Sequence, residues 1–320
     1  MGFGQMEFRR YTPADSEAWN AFVARSKNGT FLFDRRYMDY HSDRFEDCSW
    51  MVYRKGRLFA LLPGNKRGDA FCSHEGLTYG GFVTDERVTA GHLCECFETL
   101  NGVLRDEGFK RVVYKPVPWI YQQLPAEEDI YALYVRCRAR LTERDASSTV
   151  FLKRRIRFAE SRRSGIRKGE RAGLEVCESD DVEAFWRILT DNLRDKYAAR
   201  PVHTAAEMRL LKARFPECIR LFVVCREGEM LGGTVLYLTP QVVHTQYISA
   251  SQEGRRVGAL DVLFDRLINH AGFAQPYFDF GTSAQEDSNE VNSALIFQKH
   301  GFGGRCVCYD RYEYALCETI

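Results

Sequence analysis

Two stretches far apart in the chain carry one pattern. "VYRKGRLFAL" (52–61) lies on "VCREGEMLGG" (224–233) without a gap, and each places Arg-x-Gly between two apolar runs. A glycine-bearing tight turn flanked by apolar residues is a β-hairpin signature. Upstream of the hairpins, "TPADSEAWNAF" is matched by "ESDDVEAFWRI", with Trp19 and Trp186 close to register. Both read as helix starts. In the second copy Val182, Phe185, Trp186, Leu189, Leu193 and Tyr197 recur at helical spacing, with Asp180 as N-cap and Glu183 three residues on. Downstream come "GLTYGGFV" and "HTQYISAS", then a helix and a strand in each half. A strand, a crossover helix and a further strand make a mixed α/β unit. The repeat therefore predicts two tandem α/β domains, 1–146 and 147–320, joined near "TERDASST".

At 320 residues each copy is long enough to bury its own core. Lys+Arg at 45 against Asp+Glu at 44 leaves a net charge of +1, so no global field attracts nucleic acid or an anionic membrane. The 11 cysteines are diluted in a long chain whose opening "MGFGQMEFRRYTPAD" has no apolar leader core. That combination predicts reduced thiols and a cytoplasmic location. Apolar runs such as "LFALL" and "LFVVC" are strand-sized, well short of a membrane span. Cys94-x-Cys96 and Cys306-x-Cys308 lack the spacing of structural zinc sites, so no metal is expected. Nucleophile-elbow, Walker and dinucleotide fingerprints are missing.

The segment "HTQYISASQEGRRVGALDVLF" runs from a strand through a short polar stretch into an apolar-faced helix. Gly254 and Gly258 allow close backbone approach, Arg255 and Arg256 bring positive charge, and the helix start at Ala259 offers unpaired N–H groups. Together they outline an anion cradle, although the glycines equally make a tight turn and the arginines are equally at home in solvent. "KRRIRFAESRRSGIRKGERAG" is the one strong charge asymmetry, either a solvated helix face or a surface for an anionic acceptor or a tRNA. In "PVHTAAEM", Thr204 and Glu207 form a capping box, and His203 is either a loop residue or, facing a cleft, a candidate base.

These features resemble the GNAT acyltransferases, whose Gln/Arg-x-x-Gly-x-Gly/Ala signature lies between a strand and a helix and binds the pyrophosphate of acyl-CoA. Arg255 and Gly258 match the first two anchors, and Leu260 stands at the third. The internal repeat, "RRSGIRKGERAGLEV" and the closing "FDFGTS" with "FQKHGFGG" resemble more closely the FemAB-like branch, in which two GNAT-like domains stand in tandem. The resemblance implies two GNAT-like domains, each with a mixed, mostly antiparallel sheet flanked by helices. It implies an N-acyltransferase moving an acyl group, from acetyl-CoA or another acyl-CoA, to a small-molecule or peptide amine. An aminoacyl-tRNA donor with a cell-wall precursor as acceptor, or a non-catalytic tandem module, stays open beside it. Phe280, Gly281, Lys299, Phe302 and Gly303 are the positions it carries over, and Lys299 would border the reaction cleft. A lysine there can stabilise a developing oxyanion or a donor phosphate. Asp279, between aromatics on its strand, Tyr247, Glu286 and Asp310 are candidates for moving the amine's proton, Glu286 falling outside the residues described below.

Overall fold

Lys55 and Gly56 turn the first hairpin with φ of 51° and 71°, and Glu227 and Gly228 turn the second with 51° and 83°. Two consecutive left-handed residues give the turn whose twist suits antiparallel strands. The repeat read in the sequence is thus a repeat in the backbone. The computed structural model describes residues 6–197, 200–284 and 290–316. The chain divides into two compact units, Met1–Asp145 with Cys308–Ile320, and Ala146–Val307.

In the first unit β1 (Met6–Arg10), α1 (Ser16–Arg25) and α2 (Arg35–Met38) precede β2 (Glu46–Asp47), β3 (Trp50–Arg54) and β4 (Arg57–Leu62). Then follow β5 (Asn65–Arg67), β6 (Ala70–Cys72), β7 (Val83–Thr84), α3 (Ala90–Asp106), β8 (Arg111–Tyr114), α4 (Glu128–Val135) and the start of β9 (Arg140–Phe151). One sheet has the order β1-β3-β4-β7. In another, β8 lies parallel to β6 and antiparallel to residues 312–315. α3 turns Leu93, Phe97, Leu100 and Leu104 into a core shared with Val52, Ala60 and Phe82.

The second unit contains α5 (Glu160–Arg171), β10 (Glu175–Ser179), α6 (Val182–Tyr197), α7 (Ala205–Arg214), β11 (Ile219–Arg226) and β12 (Glu229–Leu238). After these come β13 (Val242–Ala250), α8 (Gln252–Val257), α9 (Ala259–Asp265), β14 (Tyr277–Thr282), α10 (Ser293–Gly301) and the start of β15 (Arg305–Ala315). Its sheet runs β10-β11-β12-β13-β14-β9. All neighbours are antiparallel except β13 and β14, which are parallel because α8 and α9 cross over between them. Val224, Leu231, Leu236, Val243, Phe278 and Phe280 face a core with α9. α6 packs on β12 and β13 from the other face, with Phe185 at Gly233. The order β1-β3-β4-β7 in the first unit repeats as β10-β11-β12-β13 in the second.

Three local readings shift. The first boundary falls at 145/146, and the last residues, 308–320, return to the first unit because the end of β15 pairs with β8. The expected span 147–320 is therefore interrupted at its end. Asp181 caps α6, accepting from Ala184 N at 2.9 Å, while Asp180 pairs with Lys212. The capping box of Thr204 and Glu207 opens α7 as expected. Among the described residues no helix is long and apolar enough to cross a membrane.

Candidate active site

β13 and β14 pair over only three rungs, Val242 with Tyr277, Val243 with Phe278 and His244 with Asp279. Beyond that rung they part, although β13 continues to Ala250 and β14 to Thr282. Each strand has its own reason to leave. The β12–β13 register shifts at Val235/Leu236, so Gln246 is an extra residue that bends β13. On β14, Gly281 turns at φ +72°, a conformation that L side chains avoid. The result is a wedge between two parallel strands.

A cavity of about 710 Å³ occupies this wedge. Ile248, Ser249 and Ala250 of β13 and Phe280 of β14 form its strand walls, while Leu189, Asn192 and Leu193 of α6 enter from one side of the sheet and Leu260 and Phe264 of α9 from the other. Its lining is largely apolar with a few polar groups, as small-molecule sites are. Asn192 fixes one wall, donating to Ser249 Oγ at 2.6 Å and to the Ala250 carbonyl at 2.8 Å. Arg255 reaches over it, bonded to Asn192 Oδ1 and to the Ala250 carbonyl at 3.2 Å.

Lys299 closes the opposite wall. It stands in the last turn of α10, not in a loop, and is 8% exposed. Its ammonium donates to the Gly281 carbonyl at 2.9 Å, the Thr282 carbonyl at 2.8 Å and Ser283 Oγ at 2.8 Å. Three protons meet three acceptors, so the side chain pins the strand end where β14 leaves the sheet. Burial lowers its pKa to about 8, against the attraction of Asp279.

Asp279 faces away from Phe278 and Phe280, as alternation requires, but it does not line the cavity. It is fully buried and accepts from Ser147 Oγ at 2.5 Å and Thr149 Oγ1 at 2.7 Å, with His244 Nδ1 at 3.0 Å from its other oxygen. Burial alone would raise this carboxyl, but the hydrogen bonds and the histidine hold it below the ordinary carboxylate value.

Phe302, like Phe280 and Arg255, lines the cavity, whereas Tyr247, Arg256, Gly254, Gly258 and Ala259 do not. Tyr247 packs on Trp186 and bonds His203 Nδ1 at 2.6 Å, and burial pushes its phenol up to about 12. Arg256 turns away to Glu253 at 2.7 Å. Gly254 and Gly258 serve close packing: a Cβ on Gly254 would stand 2.2 Å from the Leu231 carbonyl, and one on Gly258 2.5 Å from the Gly165 carbonyl. Ala259 is buried in the α9 core. Ser251 already caps the short helix α8, accepting from Gly254 N at 3.0 Å. The strand-to-helix junction is thus built by packing, and of the expected cradle residues Arg255 lines the cavity. Within the basic run, Arg162 pairs with Asp261 at 2.8 Å and Arg155 donates to the Ile268 carbonyl at 3.0 Å, both architectural. His244 and Asn192 were not singled out in the sequence. A histidine within an apolar strand signals nothing until the parallel register sets it beside Asp279.

Residues 153–287 match the family model described as an acetyltransferase (GNAT) domain. The crystal structure of FemX is similar over 97% of this chain and 97% of its own, at 13% identity and a TM-score of 0.67. L-PGS from Bacillus licheniformis is similar over 100% and 96%, at 12% identity and a TM-score of 0.59. A tandem GNAT protein from the clavulanic acid biosynthesis pathway is similar over 99% and 100%, at 11% identity and a TM-score of 0.55. No curated protein matches the sequence. The protein has the fold of the GNAT superfamily. Its two copies in one chain give that fold in the tandem, FemAB-like form.

Proposed function

We propose that the protein is an N-acyltransferase that takes an acyl group from acyl-CoA, most simply acetyl-CoA, in the second unit and passes it to a small-molecule or peptide amine. The observation that carries this reading is the wedge. Where β13 and β14 separate, the pairing between them stops, and the gap suits an extended amide-bearing arm lying along the strands. Arg255 supplies positive charge at the α8 end for donor phosphates, and the apolar walls exclude water from the acyl carbon. Lys299 holds the far wall by fixing Gly281, Thr282 and Ser283. Asp279 contributes from the opposite face of the sheet, and Tyr247 braces the chain before α7 through His203.

A second reading rests on the exposed cations Lys153, Arg154, Arg157, Arg167, Lys168 and Arg171, which suit a polyanionic donor such as an aminoacyl-tRNA. Isothermal titration with acetyl-CoA, on the wild type and on Arg255→Ala, separates the two. The acyl-CoA reading expects micromolar binding that weakens roughly tenfold in the variant, the loss of one charge-assisted contact. Absence of heat with both proteins would overturn it and favour the tRNA donor or a non-catalytic module.

A further inference from the structure

The first unit holds a cavity of its own, about 390 Å³, which stands at the small end of ligand sites. Arg35 of α2, Asp39 and His41 just beyond it, Asp47 of β2 and His74 after β6 line it, together with the rings of Tyr11 and Phe45. Its charge is organised by Arg35, whose side chain is 4% exposed. The guanidinium carbon sits 3.7 Å from the centre of the Tyr11 ring, and Nη2 donates to Asp39 at 2.5 Å and to Asp47 at 2.8 Å. Two carboxylates share one guanidinium, so the lining keeps one negative charge in excess, and both carboxylates stay partly exposed. An anion entering here would be repelled, whereas a cation would complete the balance.

The two imidazoles are short of donors. His41 Nδ1 stands 2.7 Å from the Met38 carbonyl and therefore carries the ring proton. Its Nε2 then presents a lone pair, and the Gly76 carbonyl that faces it at 3.4 Å is another acceptor. His74 stacks on His41 with ring centres 5.6 Å apart and is 2% exposed. Its Nδ1 is enclosed with no hydrogen-bond partner, as is Nε of Arg35. With Nδ1 enclosed, Nε2 is the ring atom of His74 left for a ligand to address. Buried polar groups are almost always paired, so orphans gathered round one cavity call for a ligand rich in hydrogen-bond donors. The His74 ring is also kept at a cost, because its backbone holds φ at +68°, where glycine would be unstrained. Burial pushes its imidazole down to about 3, with His41, Lys115 and Arg35 adding to the effect, and burial lowers His41 as well. Both rings thus offer hydrogen bonds without offering charge.

We propose that this cavity binds a small primary amine that carries hydroxyl groups, the chemistry of an amino sugar. The ammonium lies against Asp39 and Asp47 and supplies the missing positive charge. Hydroxyl groups meet His41 and His74, whose neutral rings can accept from them or donate to them. The apolar face of the sugar ring lies on Phe45, which His41 at 5.0 Å and His74 at 5.5 Å hold in place. This goes beyond the acyltransferase reading and does not depend on it, because binding here is measured without turnover.

The test is isothermal titration of the whole protein, with no acetyl-CoA present, against glucosamine, glucose and inorganic phosphate, in a buffer acidic enough to keep the amine protonated. The wild type should bind glucosamine. Glucose, which offers the same ring without the ammonium, should bind about tenfold more weakly or not at all, and phosphate should give no heat. Asp39→Asn keeps the shape of a partly exposed side chain and removes its charge, and His74→Gly removes the ring at a backbone position that suits glycine. Each should weaken glucosamine about tenfold or more, with melting curves showing that the protein is folded. The exposed position of Asp39 keeps the test decisive if His74→Gly fails to fold. Arg255→Ala, in the second unit, should bind glucosamine as the wild type does. No heat from glucosamine with the wild type overturns the proposal, and so does glucose binding as tightly as glucosamine. Phosphate bound in its place would make this an anion site around Arg35 and overturn it too. A folded Asp39→Asn with wild-type affinity, or loss of binding in Arg255→Ala alone, would place the amine elsewhere and refute the site.

Discussion

Replacing Lys299 by Met keeps the reach of the side chain and removes its charge. In the folded protein burial lowers the ammonium from 10.5 to about 8, with Asp279 opposing part of the loss. At about 1.4 kcal/mol per pH unit, that difference corresponds to about 3 kcal/mol. The sign is fixed by proton counting: between pH 8 and 10.5 the folded state binds fewer protons than the unfolded chain, so stability rises with pH. The contribution is complete above 10.5 and is lost as the pH falls through 8. The Met variant has no such dependence. It also leaves the Gly281 and Thr282 carbonyls and Ser283 Oγ without their donor, about 1–3 kcal/mol for each group stranded away from water. The variant should therefore be less stable at every pH, and its deficit should widen by about 3 kcal/mol from pH 8 to 10.5. Urea titrations of both proteins at pH 7, 8, 9 and 10 measure that deficit. Lys115, also lowered to about 8 by burial, is common to both and cancels in the difference. A deficit that stays flat across this range would refute the claim that the ammonium is held out of water. Turnover should fall as well, since the strand end that forms one wall of the wedge loses its anchor.

Gly281→Ala should cost about 1–3 kcal/mol, because alanine must adopt a φ of +72° with its Cβ 3.2 Å from the His244 ring. A melting temperature within about 1 °C of the wild type would show that the turn relaxes freely. In the first unit, burial pushes the Asp129 carboxyl from 3.8 up to about 6, the bond from the Tyr114 hydroxyl opposing it. Its folded form binds the proton more tightly, so stability should decline by up to about 3 kcal/mol as the pH rises from 4 to 6. Asp129→Asn should remove that slope, as chemical denaturation across the range would show.

The parts of this fold that were legible in the sequence are those written in consecutive residues. Arg-x-Gly between apolar runs specified both hairpins, the spacing of Val182, Phe185, Trp186 and Leu189 specified α6, and Thr204 with Glu207 specified the start of α7. Each depends on interactions within about four residues, where periodicity and turn chemistry are the whole cause. The glycines of "SQEGRRVGA" misled for a physical reason: the absence of a Cβ looks the same in sequence whether a phosphate or a carbonyl fills the space, and here the Leu231 and Gly165 carbonyls fill it. The wedge was illegible for a different reason. Its position depends on an offset of one residue, the extra Gln246 in β13, and on a parallel register that no local pattern encodes. Moving that pairing by one residue would put Phe278 beside His244 and turn Asp279 away from it. The His244–Asp279 pair is thus a product of topology. The apolar alternation of β14 helps to fix the register, because Phe278 and Phe280 can bury against Phe264 only when Asp279 faces the other way. The packing that stabilises one face of the strand thereby aims the carboxylate on the other.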